Sequence, residues 1–247
     1  MFPIRDTIAT RRFPIVNCIL IALNILAFLF QISLDEQSLN VLIQTFGIVP
    51  ELYTDPLLRA QYGGNFLFYI PFFSNMFLHG GWLHLIGNVW TLYIFGDNVE
   101  DRMGKFKYLA FYLLCGVLAS ATHILFNWDS PIPAIGASGA ISGVMGAYMF
   151  LFSSSRILML IPIFYIPFFF RIPAYVYLGY WFLIQFFSGA GEIISSPISG
   201  GVAFWAHIGG FVAGVIIYRF FTDRNYTPPE TFQSHKRDPI YIYQRGT

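Results

Sequence analysis

Charged residues are scarce in this sequence. Asp, Glu, Lys and Arg account for 11% of its 247 residues, whereas they make up about 25% of a typical soluble domain. Hydrophobic residues account for 56%, so the composition excludes an ordinary soluble fold and predicts a polytopic membrane protein. The net charge of +1 leaves no basic excess for binding nucleic acid, and we expect no nucleic-acid partner.

Cysteine is equally scarce, since Cys18 and Cys115 are the only two. Both lie in apolar runs of the sequence. Two such residues make neither a disulfide framework nor the ligand spacing of a zinc site. Packing is therefore the expected role of each, and we predict no metal site.

Long apolar segments are what the sequence does contain. A helix needs about 20 residues to cross a hydrocarbon core of about 30 Å. The first segment follows three arginines, as the apolar core of a signal peptide would. It is longer than the usual signal-peptide core of about 7–15 residues, so we interpret it as a retained helix. Six segments predict transmembrane helices: 14–32, 82–95, 108–125, 138–152, 173–187 and 202–221.

The predicted fold class is an all-α polytopic membrane protein. Its connections are expected to be a long loop with interfacial aromatic residues at 33–74, a charged turn at 96–107, and an interfacial segment interrupted by Pro162 and Pro167 at 156–171. The predicted organisation is a cytoplasmic N-terminal segment at 1–12, a six-helix membrane domain at 13–221 and a poorly ordered cytoplasmic tail at 222–247.

Lysine and arginine predict the orientation, because these residues collect in cytoplasmic loops. With both termini in the cytoplasm, Arg59 is the only one of the 14 lysines and arginines on the outer side. We therefore expect six spans with both termini cytoplasmic. The compact form without a long leader favours a bacterial inner membrane.

Four polar side chains fall in one layer of the predicted membrane domain. At a rise of about 1.5 Å per residue, Ser138 lies roughly 22 Å and His207 roughly 18 Å above the cytoplasmic edge. On the second span, His84 lies at roughly 20 Å and Asn88 at roughly 14 Å. These two are four residues apart and share a helix face.

Small residues predict that the fourth and sixth spans pack closely. Stripes with four-residue spacing allow close helix contact in lipid, and two such stripes are Gly139 with Gly143 and Gly210 with Gly214. If they pack, Ser138 approaches His207, which can take the proton of the serine hydroxyl and make it nucleophilic. No carboxylate lies in the layer, so a Ser–His dyad is predicted.

The combination resembles the rhomboid family of intramembrane serine proteases. The resemblance covers roughly residues 10–221. Its motifs are Gly-x-Ser-Gly at 136–139, Ala206-His207 followed by Gly210 and Gly214, the spacing of His79, His84 and Asn88, and the turn Gly96-x3-Glu100-x3-Gly104.

The resemblance implies an endopeptidase that cleaves transmembrane helices of single-span or polytopic proteins within the lipid bilayer, without metal or cofactor. It implies that Ser138 is the nucleophile, His207 the base, and His84 and Asn88 the oxyanion-hole donors. It also implies substrate access between spans two and five, with a cap at 188–201.

Two features depart from the family pattern: the first loop lacks the Trp-Arg pair of several members, and one position after the serine differs. Well-studied bacterial members have an aromatic residue four positions after the serine, stacked on the histidine, and here that position is Ser142. We expect either that Phe204 or Trp205 packs on His207 instead or that the histidine is held less firmly. His79 is expected to form a structural hydrogen bond to the first loop.

Two other functions stay open. A non-catalytic rhomboid-like protein would bind transmembrane helices, but such proteins usually lack the serine or the histidine. A membrane haem protein would need paired axial histidines on facing helices, which His84 and His207 could supply.

Overall fold

The computed structural model describes residues 2–163, 166–195, 202–223 and 226, and most of these are helical. The α-helices are α1 (Ile15–Ile32), α2 (Glu36–Phe46), α3 (Pro50–Thr54), α4 (Pro56–Tyr62), α5 (Pro71–Ser74), α6 (Trp82–Met103), α7 (Lys105–Phe126), α8 (Ser138–Leu151), α9 (Ala174–Ser195) and α10 (Phe204–Phe221). Short 3-10 helices cover Phe66–Tyr69 and Asn75–Phe77. The expected long loop at 33–74 is thus largely folded into short helices, and most of the expected tail lies outside the described residues.

The described residues are mostly helical, as predicted, but a three-stranded antiparallel sheet corrects the all-α prediction. The strands are β1 (Phe2–Asp6), β2 (Arg156–Ile163) and β3 (Ile166–Pro173), in the order β1-β2-β3. Prolines do interrupt the apolar segment, as expected of residues that lack a backbone N–H, but the result is a hairpin in which Pro162 lies opposite Pro167. Branched and aromatic residues in this segment favour strands, and the N-terminus supplies the third strand.

Three described helices are long and apolar enough to cross a membrane: α1, α7 and α10. The boundaries of α1 and α10 lie within two residues of the predicted spans, because a charged or proline-containing segment flanks each apolar run. The six-span topology and the cytoplasmic location of both termini stay predictions.

Helix α8 lies at the centre of the helices, with its residues from Gly139 to Tyr148 buried. The backbone of α8 packs directly against the backbone of α10. A Cβ atom on Gly210 would collide with the Gly139 carbonyl oxygen, and one on Gly214 would collide with the Gly143 carbonyl oxygen. Only glycine permits this approach, so the two stripes hold α8 and α10 at a short distance.

The predicted turn at 96–107 is mostly helix, which corrects the sequence prediction. Gly96 and Glu100 lie within α6, and only Gly104, with φ of +80°, makes the turn into α7. The helix continues through the charged residues that follow the apolar part of α6. The Glu100 carboxylate accepts hydrogen bonds from the backbone N–H groups of Val16 at 3.1 Å and Asn17 at 2.7 Å, which caps α1.

Helix α9 is longer than the predicted fifth span. It continues past residue 187 to Ser195, so the first part of the expected cap at 188–201 is helical and the remainder, 196–201, lies outside the described residues. A Cβ atom on Gly189 would lie 3.2 Å from the Trp205 ring. Close packing on α10 therefore extends the helix beyond the apolar run.

A partly buried carboxylate ties β1 to the helices. Asp6 accepts hydrogen bonds from the Tyr148 hydroxyl and, at 2.8 Å, from the Asn98 amide. Burial raises the pKa of Asp6 from 3.8 to about 6, against the opposing effect of the Tyr148 hydrogen bond. Because the folded-state pKa lies above the unfolded value, folding favours the protonated carboxyl. That contribution to stability is fully present below pH 3.8 and is lost as the pH rises through about 6.

The substitution Asp6→Asn removes this titration and keeps an oxygen for Tyr148 and Asn98. We expect wild type to lose about 2 kcal/mol of unfolding free energy relative to Asp6→Asn between pH 4 and pH 7. Unfolding of both proteins in detergent, measured across that range, checks the difference. Parallel pH profiles for the two proteins would contradict it.

Candidate active site

Ser138 and His207 meet at the contact between α8 and α10. Ser138 is the first residue of α8, and His207 lies in the first turn of α10. The serine Oγ and the histidine Nε2 are 2.7 Å apart. The contacts of Gly210 with Gly139 and of Gly214 with Gly143 hold this distance, because they set the separation of the two backbones.

Gly136 makes the bend that precedes Ser138. Its φ of +132° is a conformation that other residues rarely adopt. A Cβ atom there would lie 2.6 Å from His84 Nε2, so glycine is required for both conformation and space. The Gly136 backbone N–H donates to the Asn75 carbonyl at 2.8 Å, which anchors the bend.

The other side of His207 contacts α9. His207 Nδ1 lies 2.8 Å from Gln185 Oε1, and the Trp181 ring lies 5.8 Å from the imidazole ring, centre to centre. The expectation that Phe204 or Trp205 packs on His207 is wrong for Trp205, which instead stacks on Phe126 with the ring centres 3.7 Å apart.

Sequence reasoning missed both α9 residues. Gln185 carried a usable signal, because a polar side chain inside an apolar span is rare and often functional. Trp181 carried none, since aromatic residues fill most of that segment. At the position of the missing aromatic residue, the Ser142 hydroxyl donates to the Ser138 carbonyl at 2.6 Å.

His84 and Asn88 both lie on α6, but they have different surroundings. His84 lies beside Gly136 at the bend, and its Nδ1 accepts from the Gly80 backbone N–H at 3.4 Å. Asn88 is buried, and its amide Nδ2 lies 2.9 Å from His79 Nε2. The structure thus brings His84 to the serine, whereas the Asn88 amide contacts a second histidine.

His79 is held by α1 rather than by the first loop, which corrects the sequence expectation. Its backbone N–H donates to Gln31 Oε1 at 2.9 Å, and Gln31 Nε2 donates to its carbonyl at 3.1 Å. Gln31 is itself buried, at 2% exposed. Helix α1 thereby positions His79, and through it the Asn88 side chain.

A small cavity of about 20 Å³ lies behind Ser138. Its polar lining includes Asn75, Ser120 and His123, and Asn75 Nδ2 donates to Ser120 Oγ at 3.2 Å. Such a volume is sufficient for one water molecule when polar partners surround it. The site can therefore supply a nucleophile and a base, with room for one water molecule beside the nucleophile.

The contacts of His207 also bear on the haem alternative. An axial ligand must offer one ring nitrogen to iron, whereas Nε2 lies against Ser138 and Nδ1 against Gln185. Both nitrogens are engaged by protein groups. This arrangement suits acid–base chemistry on the serine and argues against ligation by His207.

Comparison with known proteins gives consistent matches. The Rhomboid domain model matches residues 68–224. Rhomboid protease GluP of Bacillus subtilis (strain 168) is 39% identical over 79 residues, which cover 32% of this chain and 15% of that protein. Rhomboid protein 1, mitochondrial, of Saccharomyces cerevisiae (strain ATCC 204508 / S288c) is 24% identical over 151 residues, which cover 60% of this chain and 40% of that protein.

A second bacterial relative, Putative rhomboid protease YdcA of Bacillus subtilis (strain 168), is 32% identical over 79 residues, which cover 32% of this chain and 39% of that protein. The chain spans less than half the length of each of these relatives. The domain match, in contrast, covers more than half of this chain and includes Ser138 and His207. The resemblance seen in the sequence is therefore confirmed: the chain is an integral membrane protein that belongs to the rhomboid family.

Proposed function

We propose that the protein is an intramembrane serine endopeptidase that cleaves transmembrane helices of single-span or polytopic membrane proteins. The observation that carries the proposal is the 2.7 Å contact between Ser138 Oγ and His207 Nε2. This is the distance of a nucleophile bonded to its base. Membership of the rhomboid family and the protease names of two bacterial relatives support it.

The reaction begins when His207 Nε2 takes the Ser138 hydroxyl proton and the serine oxygen attacks the substrate carbonyl carbon. The protonated imidazole then gives its proton to the leaving amine as the peptide C–N bond breaks. An acyl-enzyme ester remains on Ser138. Water, deprotonated by His207, attacks that ester. The imidazolium then gives its proton to the Ser138 oxygen as the ester C–O bond breaks, which releases the acid product and restores the serine hydroxyl.

The oxyanion formed in each step needs hydrogen-bond donors. We assign this role to the side chains of His84 and Asn88 and to the backbone N–H of Ser138. Ser138 is the first residue of α8, where N–H groups have no carbonyl partner within the helix. His84 lies beside Gly136, and Asn88 lies one turn further along the same helix, α6.

The finer topology belongs to the same proposal. Six spans with both termini in the cytoplasm place the arginine-containing sheet on the inner side and the reactive layer in the outer half of the bilayer. The distribution of lysine and arginine supports this orientation. A bacterial inner membrane is the proposed location.

Covalent labelling with a fluorophosphonate tests the proposal. The purified protein is treated in detergent, digested and analysed by mass spectrometry. We expect the label on Ser138, because only a serine activated by a base reacts readily with this probe. Ser142→Ala is the matched control, since Ser142 lies one turn along the same helix, and this variant should label as wild type does.

Failure of folded wild type to label would overturn the serine protease assignment. It would favour the alternative of a non-catalytic rhomboid-like protein that binds transmembrane helices. Label on Ser142 or on other residues with Ser138 unmodified would overturn the assignment of the nucleophile.

A further inference from the structure

The Nδ1 atom of His207 has a defined partner in Gln185. These atoms are 2.8 Å apart, and both side chains are buried, with His207 9% and Gln185 8% exposed. The contact joins α9 to α10 at the ring nitrogen of His207 that does not face Ser138. A catalytic dyad that consists of Ser138 and His207 alone assigns no role to this contact between His207 and Gln185.

The face of α9 that carries Gln185 is held on α10 at three successive turns. Trp181 contacts the rings of His207 and Phe211 one turn before Gln185. One turn after it, Gly189 lies close enough to Trp205 that an added Cβ would be 3.2 Å from the ring. Because contacts on both sides hold the helix in register, the Gln185 amide has little freedom to turn away from His207.

Neutral imidazole carries one proton, and the position of that proton decides whether His207 can act as a base. To accept from the Ser138 hydroxyl, Nε2 must carry the lone pair, so the proton must be on Nδ1. An Nδ1–H group then needs an acceptor. Gln185 Oε1 is an acceptor at hydrogen-bond distance.

We propose that Gln185 is the positioning residue of the Ser138–His207 pair, holding the Nδ1–H tautomer by accepting its hydrogen bond. This inference rests on the proposed function and adds a third member to the pair. Gln185 acts through His207 and does not touch the substrate. Helix α9 thereby contributes to the chemistry as well as α6, α8 and α10.

In many serine hydrolases a carboxylate accepts the hydrogen bond from Nδ1–H and so holds this tautomer. The apolar surroundings of Gln185 disfavour a carboxylate at this position. An ionised side chain within a membrane is costly. The Gln185 amide supplies the acceptor oxygen without a charge, and its dipole still favours the imidazolium that forms when the serine is deprotonated. Glutamine therefore meets the orienting requirement at lower desolvation cost.

The test compares three variants with wild type by the rate of fluorophosphonate labelling of Ser138. Gln185→Leu keeps the approximate volume and removes the acceptor, and we expect labelling to slow by roughly 10- to 100-fold. Gln185→Glu restores an acceptor oxygen and should recover part of the rate, with the desolvation cost of its carboxylate limiting the recovery. Phe187→Leu is the matched control on the same helix, because Phe187 is 68% exposed, and it should label within about 2-fold of wild type.

A second measurement reports the tautomer without activity. Solid-state NMR of protein containing ¹⁵N-histidine, with the His207 signals assigned by their loss in His207→Asn, distinguishes protonated from unprotonated ring nitrogens. Wild type should show Nδ1 protonated and Nε2 unprotonated. Gln185→Leu should show a mixture of tautomers, and Gln185→Glu should show the wild-type pattern.

The outcomes separate this inference from the proposed function. If wild type labels at Ser138 and folded Gln185→Leu labels equally fast with the same tautomer, Gln185 has no positioning role while the protease assignment stands. If wild type does not label, the protease assignment fails and the NMR experiment alone decides the role of Gln185. Should Gln185→Leu not fold, Gln185→Met, which is unbranched, provides the same comparison.

Discussion

Ser138→Ala and His207→Ala are each expected to lower cleavage of a single-span test protein by roughly 10³-fold or more. The first removes the oxygen that forms the acyl-enzyme, and the second removes the base that activates it. Neither side chain supports the fold to a comparable extent, because the α8–α10 contact is made by glycine backbone. Unfolding temperatures should therefore stay near the wild-type value.

The measurement uses purified variants in liposomes with a substrate that has small and helix-breaking residues near its outer end. Product is followed on gels over time. The variant carrying both substitutions should be no slower than either single variant, because residues that act in one step have non-additive effects. Ser142→Ala serves as the control for a lost serine on α8. Substantial residual cleavage by folded Ser138→Ala would contradict the mechanism.

Gly214→Ala is expected to destabilise the protein by about 2 kcal/mol or more. Its Cβ atom would collide with the Gly143 carbonyl oxygen and would lie 2.7 Å from the Gly143 carbonyl carbon. These are backbone atoms, so no side-chain rotation can relieve the overlap and α10 must move away from α8. The displacement also carries His207 away from Ser138, and cleavage should fall with stability.

Gly87→Ala is the matched control for that experiment. It makes the same chemical change in the second turn of α6, where an added Cβ would meet nothing within 4 Å. Alanine is the better helix former by about 1 kcal/mol, so this variant should be as stable as wild type or slightly more stable. Unfolding in detergent, followed by circular dichroism, compares the three proteins. If Gly87→Ala lost as much unfolding free energy as Gly214→Ala, the close contact at Gly214 would not be the cause of the destabilisation.

Much of the helical framework could be predicted from the sequence, for a physical reason. An apolar run bounded by charged or proline-containing segments has few alternatives in a bilayer, because its backbone groups must bond within the segment. Helices α1 and α10 accordingly begin and end close to the predicted positions. The end of α6 differs from the prediction, because charged residues indicate the end of an apolar run and not the end of a helix. Glu100 lies within α6 and caps α1.

The sheet could not be predicted by the same reasoning. Its central strand, β2, pairs on one side with β1, so Phe2 lies opposite Leu160, which is far away in sequence. A short apolar run is ambiguous between strand and other structure until its partners are known. Hydrogen bonds from Tyr148 and Asn98 to Asp6 then hold β1 in place, and no local pattern reveals them.

For the site, the sequence by itself determined the family, and it predicted the reactive residues and the depth at which they lie. Spacing along helices sets depth and face, which is why Ser138 and His207 could be paired in advance. The tertiary structure alone decided which groups contact the predicted site residues: Gln185 at Nδ1 of His207, and His79 at the amide of Asn88. Such contacts depend on how α1 and α9 are rotated against their neighbours, and that rotation results from side-chain packing between helices rather than from the residues of any one helix.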